Sequence, residues 1–319
     1  MRVAITGGTG FVGRHLAERL DRPGTVIISR RTGTAITDVE ALTEAFTGCD
    51  VVAHCAGINR EIGDQTFQRV HVEGTRAVIE AARRAGVQRI VMLSFLRARP
   101  DCGSAYHETK WAAEELLRQS GIEHTILKAG MIYGKGDHMV DHVTRAVRSF
   151  PVFATVGYRE RTVRPIPVEE AVNTLIAALE GRVPTPTVAV VGAEELELGV
   201  AVRRIARMAG GHPVFVRAPI WSIRALAQLT EWTMVVPLVA KAQAQMLAEG
   251  VSVPSPYAPW LPVELRPRLP FDDERIRAAV PEGRFALDDL RVVRWWNGRM
   301  DRSRPSGPVA SSTCSASCP

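Results

Sequence analysis

The segment TGGTGFVG, Thr6 to Gly13, constrains this chain more than any other. It follows a short apolar run, Val3 to Thr6, and precedes Phe11 to Leu20, where apolar residues recur at helical spacing. A strand, a glycine-rich turn and a helix in that order let the backbone approach a pyrophosphate, and the free amides and dipole of the helix N-terminus favour the negative charge. The glycines parse as Gly8-x-Gly10-x-x-Gly13 or as Gly7-x-x-Gly10-x-x-Gly13, and both registers support the same expectation of a bound dinucleotide.

The rest of the first half keeps the alternation. Strands are expected at Thr25–Ser29, Asp50–His54, Gln88–Ser94 and His124–Ala129, and helices at Asp38–Phe46, Thr66–Ala85 and Tyr106–Gln119. Between Ser29 and Asp38 the chain is too short for a full crossover, so one helix of the usual series is missing and a short strand is expected around Ala35-Ile36. Beyond Gly134 come helices at His138–Ser149 and Val168–Leu179, a last strand at Thr187–Val191, and helical segments at Leu198–Met208, Ile220–Thr230 and Pro237–Glu249.

The expected fold is α/β, a doubly wound parallel sheet of the Rossmann type with a smaller, mostly helical C-terminal substrate lobe. Residues 1–193 form the nucleotide-binding domain, with 138–168 on its substrate side, 194–297 the lobe, and 298–319 a Ser/Pro-rich tail expected to be disordered.

Composition narrows the classes. At 46% hydrophobic and 23% charged, 319 residues can bury a large core. The apolar run Trp232–Ala240 is far short of the ~20 residues of a spanning helix. No secretory signal is read at the N-terminus, and the cytoplasm is the expected location. Cys49, Cys55, Cys102, Cys314 and Cys318 show no metal-ligand spacing, so free thiols and no structural metal are expected. The net charge of +6 comes from dispersed arginines without interleaved aromatics, which argues against nucleic acid as a partner. Peripheral membrane contact and oligomeric state stay open. Only four of the 40 basic residues are lysines, and three of them, Lys110, Lys128 and Lys135, fall in one short segment.

Two further features carry chemistry. Ser29-Arg30-Arg31 ends the second strand where a carboxylate would select NAD, so two guanidiniums able to pair with a 2′-phosphate favour NADP, with NAD as the second choice. Tyr106 and Lys110 lie four residues apart on one helical face, an arrangement in which the ammonium lowers the phenol pKa toward a value useful for proton transfer.

With DVVAHCAG (Asp50–Gly57), VHVEGTRAVIEAARRAGVQRIVMLS (Val70–Ser94), YHETK (Tyr106–Lys110), TILKAGMIYGKGD (Thr125–Asp137) and RPIPVEEAV (Arg164–Val172), the chain resembles the short-chain dehydrogenase/reductase superfamily over about residues 1–200. It is most similar to the extended or atypical branch that holds the NAD(P)H-binding accessory subunit of respiratory complex I and its bacterial relatives. The short passage after the second strand is also similar to the dTDP-4-dehydrorhamnose reductases.

The resemblance implies Tyr106, Lys110 and Ser94 as the catalytic set. It implies a cofactor bed of Gly7, Thr9, Gly10, Phe11, Val12, Gly13, Arg30, Arg31, Ile36, Cys55, Ala56, Gly57, Lys110, Ala129 and Met131. The chain departs from the family pattern with His71 in place of Asn, Phe95 after Ser94, Ala35 where an Asp usually faces the adenine, and Lys128-Ala129 for Arg-Pro. Taken alone, Cys55, Asn59, His54 and His107 read as packing or solvated-surface residues.

Three functions follow as expectations. The first is an NAD(P)-dependent oxidoreductase acting on a small molecule with a carbonyl or hydroxyl group. The second is a sugar-nucleotide epimerase or reductase. The third is a non-catalytic NADP(H)-binding structural or redox-sensing protein, which the departures at His71 and Ser94 and a Trp-rich C-terminal lobe would suit.

Overall fold

The computed structural model describes residues 1–21, 23–156, 161–233 and 258–285. The first half runs β1 (Val3–Thr6), α1 (Phe11–Leu20), β2 (Thr25–Ile28), α2 (Val39–Phe46), β3 (Val51–His54), α3 (Gly74–Ala85), β4 (Arg89–Phe95), α4 (Ala105–Arg118) and β5 (Glu123–Ala129). Next come β6 (Ile132–Tyr133), α5 (His138–Ser149), β7 (Val152–Val156), β8 (Thr162–Val163), β9 (Ile166–Pro167), α6 (Val168–Leu179) and β10 (Thr187–Val190). The described chain ends with β11 (Leu196–Glu197), α7 (Leu198–Ala209), β12 (Val214–Ala218), α8 (Ile220–Thr233) and α9 (Asp273–Ala279).

Six strands form one parallel sheet in the order β10-β5-β4-β3-β1-β2. Because the pleat alternates, Ile5, Val51, Val91 and Leu127 face α1 and α6, while Ala4, Val52, Ile90 and Ile126 face α2, α3 and α4. Both faces are buried, and the strands accordingly read as nearly continuous apolar runs. The fold is the doubly wound Rossmann type.

Two expectations change. Ala35-Ile36 is not a strand: the chain leaves β2 through a 3-10 turn, Arg30–Thr32, capped reciprocally by Ser29 and Thr32, and goes straight on to α2. That leaves β2 at the sheet edge. The helix expected over Thr66–Ala85 instead opens with a π-helical turn, Gln68–Glu73, before α3, so its phase is offset around His71.

The lobe is less purely helical than expected, since β12 pairs in parallel with β7, and β11 pairs with β8 in antiparallel. Tyr133, Val140, Val163, Leu198, Val202, Ile205, Phe271 and Ile276 form a third core that joins the segment after β5 to α7 and α9. Of the lobe tryptophans, Trp221 is 73% exposed and Trp260 lies between the Arg164 and Arg266 guanidiniums at the surface, so neither fills a core. The helix expected at Pro237–Glu249 and the tail at 298–319 lie outside the described residues.

Candidate functional site

The β1–α1 turn is built by close approach. Gly7 has φ +69°, and a Cβ there would stand 2.7 Å from Ala56 N and Cα; a Cβ on Gly13 would stand 2.3 Å from the Gly7 carbonyl oxygen. The turn, the start of α1 and the end of β3 are thereby pressed together. Gly10 caps α1 with no side-chain hydrogen bond, which leaves the first-turn amides at Phe11, Val12 and Gly13 without intrahelical acceptors.

These residues line a cleft of about 560 Å³, whose other walls are Cys55, Ala56 and Gly57 after β3, Lys110 and Tyr106 on α4, and Ala129-Gly130 at the end of β5. Free amides above a glycine floor fit a dinucleotide pyrophosphate. Thr9, Arg30, Arg31, Ile36 and Met131 stand outside this cleft. Arg30 and Arg31 are exposed on the turn after β2, Ile36 packs over Gly74, and Met131 belongs to a neighbouring cavity.

Tyr106 begins α4 among aromatic rings, with centroids 5.4 Å from Phe95, 5.6 Å from Phe67, 5.6 Å from His71 and 5.8 Å from His107. This enclosure pushes the phenol pKa up, by burial. Lys110 is 7% exposed, and its Nζ donates to the Leu93 carbonyl at 3.4 Å. A Cβ on Gly57 would lie 3.0 Å from that nitrogen, so the glycine makes room for it. Burial pulls Lys110 down to about 8, against the opposing pull of Glu114 and Cys55. The expected lowering of the phenol pKa is therefore corrected: desolvation of the ring raises it, and the phenol is held neutral.

His71, in the π-helical turn, does the bridging work of a polar side chain at the position where the family pattern has Asn. Its Nδ1 lies 3.0 Å from Thr109 Oγ1 and its Nε2 2.9 Å from the Ile58 carbonyl oxygen, tying the loop after β3 to α4. His54 spans Thr6 Oγ1 at 2.7 Å and Thr75 Oγ1 at 3.0 Å, and burial pulls it down to about 3. Ser94 borders the cleft, but its hydroxyl donates to Glu114 Oε1 at 2.5 Å. Lys128 Nζ donates to both oxygens of that carboxylate at 2.8 Å and to the Ala98 carbonyl at 2.9 Å, and Arg118 reaches the outer oxygen.

Beside the cleft lies a second cavity of about 580 Å³, between β6, α5, β7, α7 and α8. Asn59, Phe95, Tyr106, Asp137 and His142 border both spaces, so Tyr106 stands where they meet. Asp137 caps α5 by accepting from Met139 N and Val140 N at 3.1 Å, and burial pushes its carboxyl up to about 6. Burial pulls His142 down to about 4. Sequence reasoning missed Glu114, Asp137 and His142. The rarity of lysine pointed toward Lys128, whereas Glu114 looks like an ordinary exposed position of an amphipathic helix.

The NAD(P)H-binding family model matches residues 7–149. The ceramide reductase of Caulobacter vibrioides is 31% identical over 239 residues, which are 68% of this chain and 73% of that protein. The chain belongs to the NAD(P)H-binding family. Also similar is the 4-hydroxy-2-methyl-3-oxo-4-farnesyl-3,4-dihydroquinoline-1-oxide ketoreductase of Stigmatella aurantiaca, 30% identical over 43% of this chain and 52% of that protein. The 40 kDa subunit of NADH-ubiquinone oxidoreductase from Neurospora crassa is 25% identical over 54% of this chain and 51% of that protein, which bears out the resemblance to the complex I accessory group. This chain thus spans about three quarters of the ceramide reductase and about half of the other two. Among solved structures, the UDP-glucuronic acid 4-epimerase of Bacillus cereus, in complex with UDP-glucuronic acid and NAD, shares the fold. It has a TM-score of 0.61 and 16% identity over 88% of this chain and 98% of that one.

Proposed function

We propose that this chain is an NAD(P)H-dependent oxidoreductase that interconverts a carbonyl and an alcohol, with reduction the favoured direction. The observation that carries the proposal is the place of Tyr106, a half-buried phenol shared by the nucleotide cleft and the adjoining cavity. Two of the similar proteins named above are reductases, which supports the same chemistry.

When bound, the cofactor supplies the hydride. The amides of Phe11, Val12 and Gly13 bind its pyrophosphate. Arg30 and Arg31 pair with a 2′-phosphate, which makes NADP the preferred form. Lys110 holds the nicotinamide ribose and keeps positive charge beside the phenol. As the carbonyl carbon gains the hydride, Tyr106 gives its proton to the oxygen and is reprotonated from solvent, leaving an alcohol. A phenol kept neutral by burial is suited to giving a proton. Ser94 assists by polarising that oxygen only when its hydroxyl leaves Glu114.

A second reading, a cofactor-binding protein without turnover, is favoured by one feature: of the β4 end it is the Phe95 ring that packs on Tyr106, while the Ser94 hydroxyl is bound to Glu114. Incubating the full chain with NADPH deuterated at the transferable C4 position and a panel of ketones and aldehydes separates the two. Deuterium at the carbinol carbon of a product supports the oxidoreductase. Bound NADPH that delivers deuterium to none of them supports the binding protein.

A further inference from the structure

We infer that the substrate is a neutral amphipathic molecule whose reacting carbonyl sits at Tyr106 and whose long apolar chain fills the cavity between α5, β7, α7 and α8. This inference rests on the oxidoreductase reading given above. From Phe95 onward the cavity walls are apolar, with Met131, Val143, Phe153, Leu198 and Ile223 prominent among them. Away from the cofactor end, Thr155 is the one polar side chain among the described residues of the wall, and its hydroxyl is already used by the Val216 carbonyl. Such a wall gains free energy from hydrocarbon and offers nothing to a polyol.

The polar groups gather at the end nearest the cofactor. Asn59, Asp137 and His142 stand there with Tyr106, and His142 Nδ1 is buried with no hydrogen-bond partner among the described residues. A hydroxyl or amide beside the reacting carbon would satisfy it. No Lys or Arg side chain lines this cavity among the described residues, and beside the neutral Tyr106 and His142 its one acidic group among them is the carboxyl of Asp137. A sugar nucleotide or an acyl phosphate lying in this cavity would set its charge against that carboxyl with no cation in the cavity wall among the described residues; Arg60 and Lys110 line the cofactor side instead.

The far end opens between Phe150, Val152 and Leu226, which are 41%, 51% and 36% exposed. A chain longer than the cavity therefore continues over apolar surface.

Two measurements test this. In the first, kcat/KM with NADPH is followed along unbranched methyl ketones from four to fourteen carbons. It is expected to rise about fourfold per methylene, the worth of burying one CH2, until the cavity is full. Val143→Phe, and separately Ala146→Phe, are expected to cut the ratio between the twelve-carbon and four-carbon ketones at least tenfold. In the second, the fluorescent probe N-phenyl-1-naphthylamine is displaced from the wild type by alcohols of the same lengths, which needs no turnover.

Tight displacement by dodecanol and none by butanol, without reduction of any ketone, would leave the apolar site standing and overturn the oxidoreductase reading. Ketone reduction that does not depend on chain length, or reduction of a UDP-sugar, with no displacement by dodecanol, would overturn the apolar substrate and leave the oxidoreductase. Neither reduction nor displacement would overturn both.

Discussion

The Ser94 hydroxyl donates at 2.5 Å to Glu114, a carboxylate with no exposed side-chain surface that lies one helical turn beyond Lys110 on α4. Lys128, equally buried, holds the same carboxylate from β5. This cluster joins the ends of two central strands to the helix that carries Tyr106 and Lys110. It thereby fixes where the phenol and ammonium stand relative to the sheet.

Ser94→Ala is accordingly expected to lower stability by about 1.5–3 kcal/mol, the worth of a hydrogen bond to a buried charge, and to lower kcat/KM by less than about tenfold. Lys128→Ala, which removes the fully buried partner and leaves the carboxylate only Ser94 and the partly exposed Arg118, is expected to cost up to about 3–5 kcal/mol. Urea unfolding and steady-state kinetics on the same preparations check both. A hundredfold loss of kcat in Ser94→Ala at unchanged stability would make the serine a direct participant.

Cofactor choice is expected to reside in the turn after β2. Arg30 and Arg31 are exposed there with no carboxylate beside them in the turn. The double variant Arg30→Ala/Arg31→Ala is expected to weaken NADP binding about 10–100-fold and leave NAD binding within about twofold, since one or two charge-assisted bonds are lost. Calorimetric titration of both nucleotides measures this. Equal losses for the two would move the 2′-phosphate site elsewhere.

Two glycines of the turn, Gly10 and Gly13, are expected to separate by role. A Cβ on Gly13 meets the Gly7 carbonyl at 2.3 Å, so Gly13→Val is expected to lower the melting temperature even without nucleotide. Gly10 is exposed and a Cβ there meets nothing nearer than the Gly7 carbonyl at 3.0 Å. Gly10→Val is expected to abolish thermal stabilisation by NADP with the smaller change in the unliganded protein. Full stabilisation of Gly10→Val by NADP would place the pyrophosphate outside this turn.

The apolar strands, the turn at Thr6–Gly13 and the helical face shared by Tyr106 and Lys110 were legible because each is a local pattern of period two or 3.6. Helix Val168–Leu179 was legible for the same reason. What escaped depends on contacts between distant segments. Val214–Ala218 pairs with Val152–Val156 some 60 residues earlier, and nothing within either run announces the other. Glu114 becomes buried only because Lys128 and Ser94 arrive from two strands. Val143, Phe153, Leu198 and Ile223 face one cavity only once the lobe is folded. The absence of a strand at Ala35-Ile36 turned on the Ser29–Thr32 cap, a side-chain interaction that sequence spacing alone did not single out.

Acid is expected to destabilise the fold below pH 6.5. His54 and His142 have folded pKa values of about 3 and about 4, and His71 is also held well below its usual value, each chiefly by burial. Their pKa values are depressed on folding, so the unfolded chain binds more protons. The stability they give is present above about pH 6.5 and is lost as pH falls toward 4. Each proton contributes a slope of about 1.4 kcal/mol per pH unit at most. Asp137, raised to about 6, acts oppositely: its contribution is present below about pH 3.8 and is lost as pH rises through 6. Urea midpoints measured from pH 4 to 8 are expected to fall more gently with acid in His54→Gln and more steeply in Asp137→Asn. Parallel curves for wild type and both variants would contradict this assignment.

In the proposed reaction, reduction depends on Tyr106. The most direct measurement is NADPH oxidation coupled to alcohol formation, compared between wild type and Tyr106→Phe, with NADPH affinity determined on both. The phenylalanine keeps the ring contacts with Phe67, Phe95, His71 and His107 but has no proton to give. The account predicts NADPH affinity within about twofold of wild type and a loss in kcat of ~10²–10⁴-fold, the range of general acid catalysis. A Tyr106→Phe variant that keeps more than about a tenth of the wild-type kcat would contradict Tyr106 as the proton donor.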